Sequence, residues 1–175
     1  LWGRRTKNGL DWTNEELIYD GKTLDGVLIS PSIIFNFETG LYELYTVEGT
    51  ASGWRIRRMT SPTLKNPRWT HSKYFQPIPN ANIWHFEIRW VGSELFGLGH
   101  DDAMTGADSS KNLYLCRYDK ASDEFVWSSK VLTGEHYDPY KATFTPVFNL
   151  ENKTIALQLL WLSRSGGDEN MWRLY

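Results

Sequence analysis

The sequence predicts an all-β protein organised as a partial β-propeller, and three observations carry that prediction. Short segments rich in β-branched and aromatic residues alternate with turn formers, while no stretch of a dozen residues keeps a 3.6-residue apolar period. Landmark residues recur at a nearly constant step of 55 to 59 residues, the length of one four-stranded unit. Nine Trp, nine Tyr and eight Phe make up 15% of the chain and are spread along its whole length. Large aromatics at that density are expected to fill the gaps between twisted sheets, the functional alternative being that some of them stack on ligand rings.

The strand candidates are Ser32 to Phe35, Leu41 to Thr46, Trp54 to Met59, Glu87 to Val91, Leu95 to Leu98 and Asn112 to Tyr118. Turn signals separate them at Asn36 to Gly40, Thr50 to Gly53, Gly92-Ser93, Thr105 to Lys111 and Ser165 to Asp168. Trp12-Thr13, Trp69-Thr70 and Trp127-Ser128 step by 57 and 58 residues. Trp54-Arg55-Ile56, Leu113-Tyr114-Leu115 and Trp172-Arg173-Leu174 step by 59 twice, and Ser32, Glu87 and Pro146 open a third row that steps by 55 and 59. Each unit thus reads as an apolar first strand, a hairpin partner, a third strand with the Trp/Leu-x-Ile/Leu element, and a last strand opened by Trp-Thr/Ser, which is one propeller blade. On this reading residues 9–18 are the last strand of one blade, 30–75 and 83–132 are blades, and 140–175 is an incomplete one. Propellers close with about four to eight blades, so about three blades are expected to be a segment of a longer ring. A β-sandwich is the structural alternative, although its strands need not repeat in fours.

Composition excludes several functions. No apolar run is long enough to span a membrane as a helix. The formal net charge of -2, with Lys and Arg scattered among Asp and Glu, gives no basic stripe for nucleic acid. Cys116 is alone, which excludes an internal disulfide framework and a cysteine-based zinc site and leaves the redox compartment open. The opening Leu1 to Arg5 lacks a charged-then-apolar signal pattern.

Three phrases carry a family resemblance. Ser30-Pro31-Ser32-Ile33-Ile34-Phe35 followed by Gly40 to Tyr45 resembles the blade opening of five-bladed furanosidase-type propellers, glycoside hydrolase family 43 and its relatives. Ile83-Trp84-His85-Phe86-Glu87-Ile88 resembles a tryptophan-histidine-acid opening found in that superfamily, including propeller domains of bacteriophage tail and receptor-binding proteins. Tyr140 to Phe144, with Leu159 to Ser163 and then Trp172, is similar to the blade that follows in those proteins. The resemblance implies an axial funnel onto which the first strands of several blades place the carboxylates that cleave glycosides. Inverting cleavage needs one carboxylic acid for the leaving oxygen and a second carboxylate for water, about 6.5–9.5 Å apart. This chain departs from that pattern. Ser32 stands where the family's first opening carries an acid, Glu87 is present at the second, and the third offers Lys141 and Thr143.

Glu87 is therefore the candidate catalytic residue or sugar-hydroxyl acceptor, its structural alternative being an ion pair with Lys141 or with an Arg across the funnel. Trp84, His85, Tyr140, Lys141 and Ser32 are the candidate substrate-binding residues: Trp84 for ring stacking, His85 as a donor, Lys141 for an anionic group, Tyr140 beside it. Strand alternation places His85 and Glu87 on one face and Trp84 and Phe86 on the other, so one set faces the funnel unless the chain bends there. His100, Asp101 and Asp102 form the densest group of metal-capable side chains and are expected to be a solvated hairpin loop, with no metal and no cofactor required. The three Trp-Thr/Ser elements are expected to be structural, and Asp123-Glu124 a turn. The leading expectation is a carbohydrate-binding propeller that recognises a glycan, extracellular or virion-associated, and a homotrimer if it belongs to a phage tail. The alternatives are a glycoside hydrolase of furanosides or related polysaccharides using Glu87, and a structural propeller presenting loops to a protein partner.

Overall fold

The structure, a computed structural model, describes residues 1–21, 27–51, 53–76, 78–79, 81–102, 112–129, 132, 139–164 and 172–174; of these, 27, 102, 139–141, 163–164 and 172–174 are described by their backbone alone. The turns expected at Thr105 to Lys111 and Ser165 to Asp168 lie outside the described residues. Every named element is a strand: β1 (Trp2–Gly3), β2 (Glu16–Leu17), β3 (Val27–Asn36), β4 (Leu41–Thr50), β5 (Gly53–Ser61), β6 (Thr70–Phe75), β7 (Asn82–Val91), β8 (Glu94–Asp102), β9 (Leu113–Asp119), β10 (Glu124–Trp127), β11 (Pro139–Asn149), β12 (Thr154–Arg164) and β13 (Trp172–Leu174). They form antiparallel meanders β3-β4-β5-β6, β7-β8-β9-β10 and β11-β12-β13, with β1-β2 as a fourth small sheet. This is a partial β-propeller: four-stranded blades in sequence order, each packing face to face on the next.

The inner hairpins follow from local chemistry. Asn36 closes β3 by accepting the backbone N–H groups of Glu38 (3.0 Å) and Thr39 (3.2 Å) on its side-chain oxygen, and Gly40 takes the left-handed φ of 70° that returns the chain to β4. Between β7 and β8, Val91 pairs with Glu94 across a two-residue turn whose Gly92 sits at φ 64°.

Two of the three repeated landmark rows fall on the same strand of each blade. Trp54, Leu113 and Trp172 lie on the third strands β5, β9 and β13, and Ser32, Glu87 and Pro146 lie on the first strands β3, β7 and β11. The Trp-Thr/Ser row is not equivalent, and here the expectation fails. Thr70 opens β6 after Trp69, whereas Trp127 ends β10 and pairs with Cys116. The cause is loop length. Residues 62–69 connect β5 to β6, while Asp119 pairs with Glu124 across a tight turn with Asp123 at φ 53°.

The first two blades meet through an aromatic wedge. Tyr45, Val47, Ile56 and Phe75 of the first pack on Ile83, Phe86, Ile88, Leu95, Cys116 and Phe125 of the second, all buried. Phe75 and Phe125 have centroids 4.7 Å apart, and Phe86 and Phe125 5.1 Å. The opposite face of the second blade buries Val91, Leu98 and Leu113 against Phe144 of the third. Gly97 makes room for the wedge, because a Cβ there would meet the Phe86 ring at 2.5 Å and the Cys116 sulfur at 2.7 Å. Tryptophan N–H groups tie neighbouring units together: Trp90 donates to the Phe35 carbonyl (2.9 Å) and Trp69 to that of Ile18 (2.7 Å).

A polar seam runs along the outer edge of the same interface. Asp123 meets Arg58 at 3.2 Å and Lys73 at 3.3 Å, accepts from the Tyr118 hydroxyl at 2.5 Å, and sits beside Glu124, which pairs with Lys73 at 2.8 Å. Partial burial pushes the Asp123 carboxyl up, but the Tyr118 hydrogen bond and the charges of Arg58 and Lys73 outweigh it and hold the group below its usual value.

Gly97→Ala is expected to cost about 1–3 kcal/mol, since neither buried neighbour can withdraw. Urea denaturation checks this, and an unchanged midpoint would show that the wedge is looser than described. Asp123→Asn addresses the seam. Because the folded carboxyl is depressed, its contribution is fully present above the unfolded value of about 3.9 and is lost as pH falls through the folded value. The side chain is 44% exposed, so the wild type should exceed the variant by no more than about 1 kcal/mol at pH 7. The two denaturation curves should converge near pH 2, and a gap that widens with acid contradicts the sign.

Candidate functional site

Each first strand carries the same irregularity near its start. Ser30 and Pro31 of β3 together oppose the single residue Thr46 of β4, between the pairs Ile29–Val47 and Ser32–Tyr45. In β7, Trp84 is the extra residue between the pairs Ile83–Asp101 and His85–His100. In β11, Lys141 and Ala142 oppose Trp161, between Tyr140–Leu162 and Thr143–Leu160. These are β-bulges, in which one extra residue bends the strand and re-aims its side chains. Pro31 suits such a position because it has no N–H to offer a ladder. Ser30 adopts a φ of 52°, the left-handed region that a non-glycine residue enters at a cost.

The bulged ends surround one cleft of about 470 Å³, lined by Ser30 to Ile33 of β3, His85 to Glu87 of β7, Leu98 and His100 of β8, and Ala142 and Thr143 of β11. Ser30 Oγ shares a hydrogen bond with His85 Nδ1, joining the first two blades at the cleft. The His85 ring in turn lies parallel to that of His100, with centroids 5.6 Å apart and an 11° interplanar angle. Glu87 is 23% exposed and receives two hydrogen bonds on Oε1, from Arg89 Nε at 2.5 Å and from the Thr143 hydroxyl of the next blade at 2.8 Å. Arg89 Nη2 also donates to Thr143 Oγ1 at 3.3 Å. The ion-pair partner of Glu87 is thus an arginine two residues along the same strand.

The bulge resolves the alternation conflict. His85 and Glu87 face the cleft, and Trp84, displaced into the bulge, stands outside the lining with its indole edge-on to Trp54 at 4.8 Å. Ser32 lines the cleft and holds β7 weakly, its hydroxyl 3.4 Å from the Ile88 carbonyl. The side chains of Tyr140 and Lys141 lie outside the described residues; their backbones flank and form the β11 bulge.

The expectation of a solvated loop at His100 to Asp102 is overturned. β8 continues through Asp102, with His100 and Asp101 buried. The reason is that Asp101 bonds the backbone and side-chain amides of Asn112 (2.8 and 2.7 Å), which satisfies a carboxylate inside the blade. Burial and then the Asp101 charge push the neighbouring Tyr114 phenol above its usual value. Among the described residues no three His, Cys, Asp or Glu side chains gather as metal ligands would. Sequence reasoning passed over Ser30, Arg89, His100 and Thr143 as site residues. The i, i+2 spacing of Glu87 and Arg89 on one strand face was the signal available for Arg89.

No family model matches the chain, and no curated protein sequence matches it. Among solved structures it is similar to an exo-β-1,3-galactanase from Phanerochaete chrysosporium determined with β-1,3-galactotriose. The TM-score is 0.56 and the identity 16%, over 90% of this chain and 35% of that one. The chain thus spans about a third of that structure's length. The likeness shows that the two proteins share a fold over this stretch.

The Ser30 geometry yields a test. Both Ser30→Gly and Ser30→Ala remove the bond to His85, but glycine alone relaxes the left-handed backbone, a difference of about 1–2 kcal/mol. Ser30→Gly should therefore be the more stable of the two by denaturant titration, and equal stabilities would show that residue 30 is not held left-handed.

Proposed function

We propose that this chain is the sugar-recognising part of a carbohydrate-active propeller and that a glycan residue occupies the cleft between β3, β7 and β11. One observation carries the reading: three first strands, each bulged at the same end, deliver Ser30, Ser32, His85, Glu87 and Thr143 to one cleft of about 470 Å³. Pockets of that size with a few convergent polar groups on otherwise apolar walls suit small ligands. Pro31, Ile33, Phe86, Leu98 and Ala142 supply the apolar wall here. Both bonds to Glu87 fall on Oε1 among the described residues, which fixes the carboxylate and leaves Oε2 to accept from a sugar hydroxyl. The solved galactanase, a protein that binds a galactose oligomer, supports the class of ligand through its shared fold.

A second reading makes Glu87 one of two carboxylates of a glycoside hydrolase, and its position on a bulged first strand at the cleft favours it. Hydrolysis then requires a partner acid about 5–10 Å away. A receptor-binding role in a phage tail, with trimeric assembly outside the cell, rests on the resemblance of residues 83–88 alone.

Glu87→Gln keeps the shape of the side chain and removes its charge. A charge-assisted hydrogen bond contributes about 1.5–3 kcal/mol, so sugar binding measured by calorimetry should weaken about tenfold or more, with the melting temperature little changed. Undiminished affinity in this variant would falsify the site assignment. Released reducing sugar from galactan, arabinan or xylan, abolished by the same substitution, would establish the hydrolase reading.

A further inference from the structure

We infer that Ser30 and His85 form a nucleophile–base dyad that cleaves an ester in the cleft, the acyl ester of a sugar hydroxyl being the substrate class. The dyad stands on its own geometry, and only the sugar half of the substrate rests on the sugar-binding reading above.

Three observations meet at Ser30. Its Oγ is hydrogen-bonded to His85 Nδ1 across the joint between the first two blades. Its backbone is held at a left-handed φ of 52° inside the β3 bulge. It also lines the cleft, so a ligand seated there reaches the hydroxyl. Serine is a weak nucleophile until a base takes its proton during attack, and a base within hydrogen-bond reach marks the activated residue. Unusual backbone of this kind gathers at sites where a side chain must be held in one direction.

His85 is equipped to be that base. The bulge at Trp84 brings it to the cleft, and the parallel ring of His100, itself 1% exposed, packs at 5.6 Å and fixes the plane of the imidazole. In the tautomer with the ring proton on Nε2, Nδ1 accepts from the serine.

The chemistry follows the general course of serine acyl transfer. Ser30 Oγ bonds to the ester carbonyl carbon while its proton passes to His85 Nδ1 and the carbonyl π pair moves onto oxygen. Collapse breaks the bond to the sugar oxygen, which leaves with the proton from Nδ1. Water, deprotonated by the same nitrogen, then displaces Ser30 and releases the carboxylic acid. Pro31 follows the nucleophile and has no N–H to give the oxyanion. The Ser32 hydroxyl, held only at 3.4 Å from the Ile88 carbonyl, is the donor nearest in sequence on the same lining, which predicts slow turnover. An ester is uncharged, so Glu87 in the wall does not repel it, and Ile33, Leu98 and Ala142 offer apolar surface to a short acyl chain.

The test treats the intact chain with a fluorophosphonate and maps the adduct by mass spectrometry, alongside hydrolysis of 4-nitrophenyl acetate. One adduct on Ser30 is expected. Ser30→Ala should lose both label and hydrolysis, and His85→Gln should slow both by about a hundredfold or more, with folding checked by circular dichroism. If either variant does not fold, the mapped site in the unaltered chain decides, and no adduct, or an adduct on another serine, overturns the dyad. Acetate released from acetylated galactobiose, and lost in Ser30→Ala, supports the sugar ester as substrate. Galactobiose binding without a label on Ser30 would overturn this inference and leave the sugar pocket intact, whereas a labelled Ser30 in a chain that neither binds nor deacetylates any sugar would overturn the sugar reading and leave the dyad.

Discussion

The interlocking of Tyr45, Phe75, Phe86 and Phe125 between the first two blades is the constraint on which the rest of the molecule depends. These four rings, with centroids 4.7 to 6.3 Å apart, occupy the centre of the larger buried cluster. Phe86 belongs to the first strand of its blade, so burying it in the wedge fixes which way that strand faces. Residues of opposite parity, His85, Glu87 and Arg89, then have one direction left, toward the cleft and β11. The functional face is the reverse side of the packing face. A one-residue slip of β7 would exchange them, and the wedge is what forbids it.

Bulges let the inner strands serve both purposes. A regular strand alternates strictly, and β7 could not present Ile83, Phe86 and Ile88 to one neighbour without misplacing a residue near its start. Inserting Trp84 restores the phase, since Ile83 and Phe86 then both reach the wedge although three positions separate them. The displaced indole finds Trp54 of the preceding blade, which turns the irregular residue into a further contact between blades. At Ser30 the same device places a left-handed serine where its hydroxyl reaches His85. Observed strain of this kind, paired with a specific hydrogen bond at a cleft, fits the general association of unusual backbone with binding sites.

Much of this was legible in the sequence because blades repeat. The third-strand landmark at Trp54, Leu113 and Trp172 kept a constant 59-residue step and falls on the third strand of each blade. Trp69 and Trp127 kept nearly the same step, yet Trp69 precedes its strand and Trp127 ends its own, because the turn before β10 is shorter. Spacing along the chain reports position in space only where the intervening loops are equal. The bulges were illegible for a related reason, since no residue type marks them and Ser30, Trp84 and Lys141 have nothing in common. His100 and Asp101 resembled a loop because polar runs usually stay in water. Here Asn112 and the stacked His85 ring receive them inside the sheet, a tertiary effect that local composition does not carry.

The blades are joined at two depths, and this bears on where function can reside. Apolar rings hold the middle of the interface, and Arg58, Lys73, Tyr118 and Asp123 hold its outer edge. At the inner edge the links are few and polar: Ser30 to His85, and Thr143 with Arg89 to Glu87. Single polar contacts of that sort contribute about 0.5–1.5 kcal/mol each, against several for the buried ring cluster. The polar residues of the cleft, Ser30, Ser32, Glu87 and Thr143, are therefore constrained less by stability than the rings behind them. The same freedom allows one propeller frame to hold sites of different charge and chemistry at its inner edge.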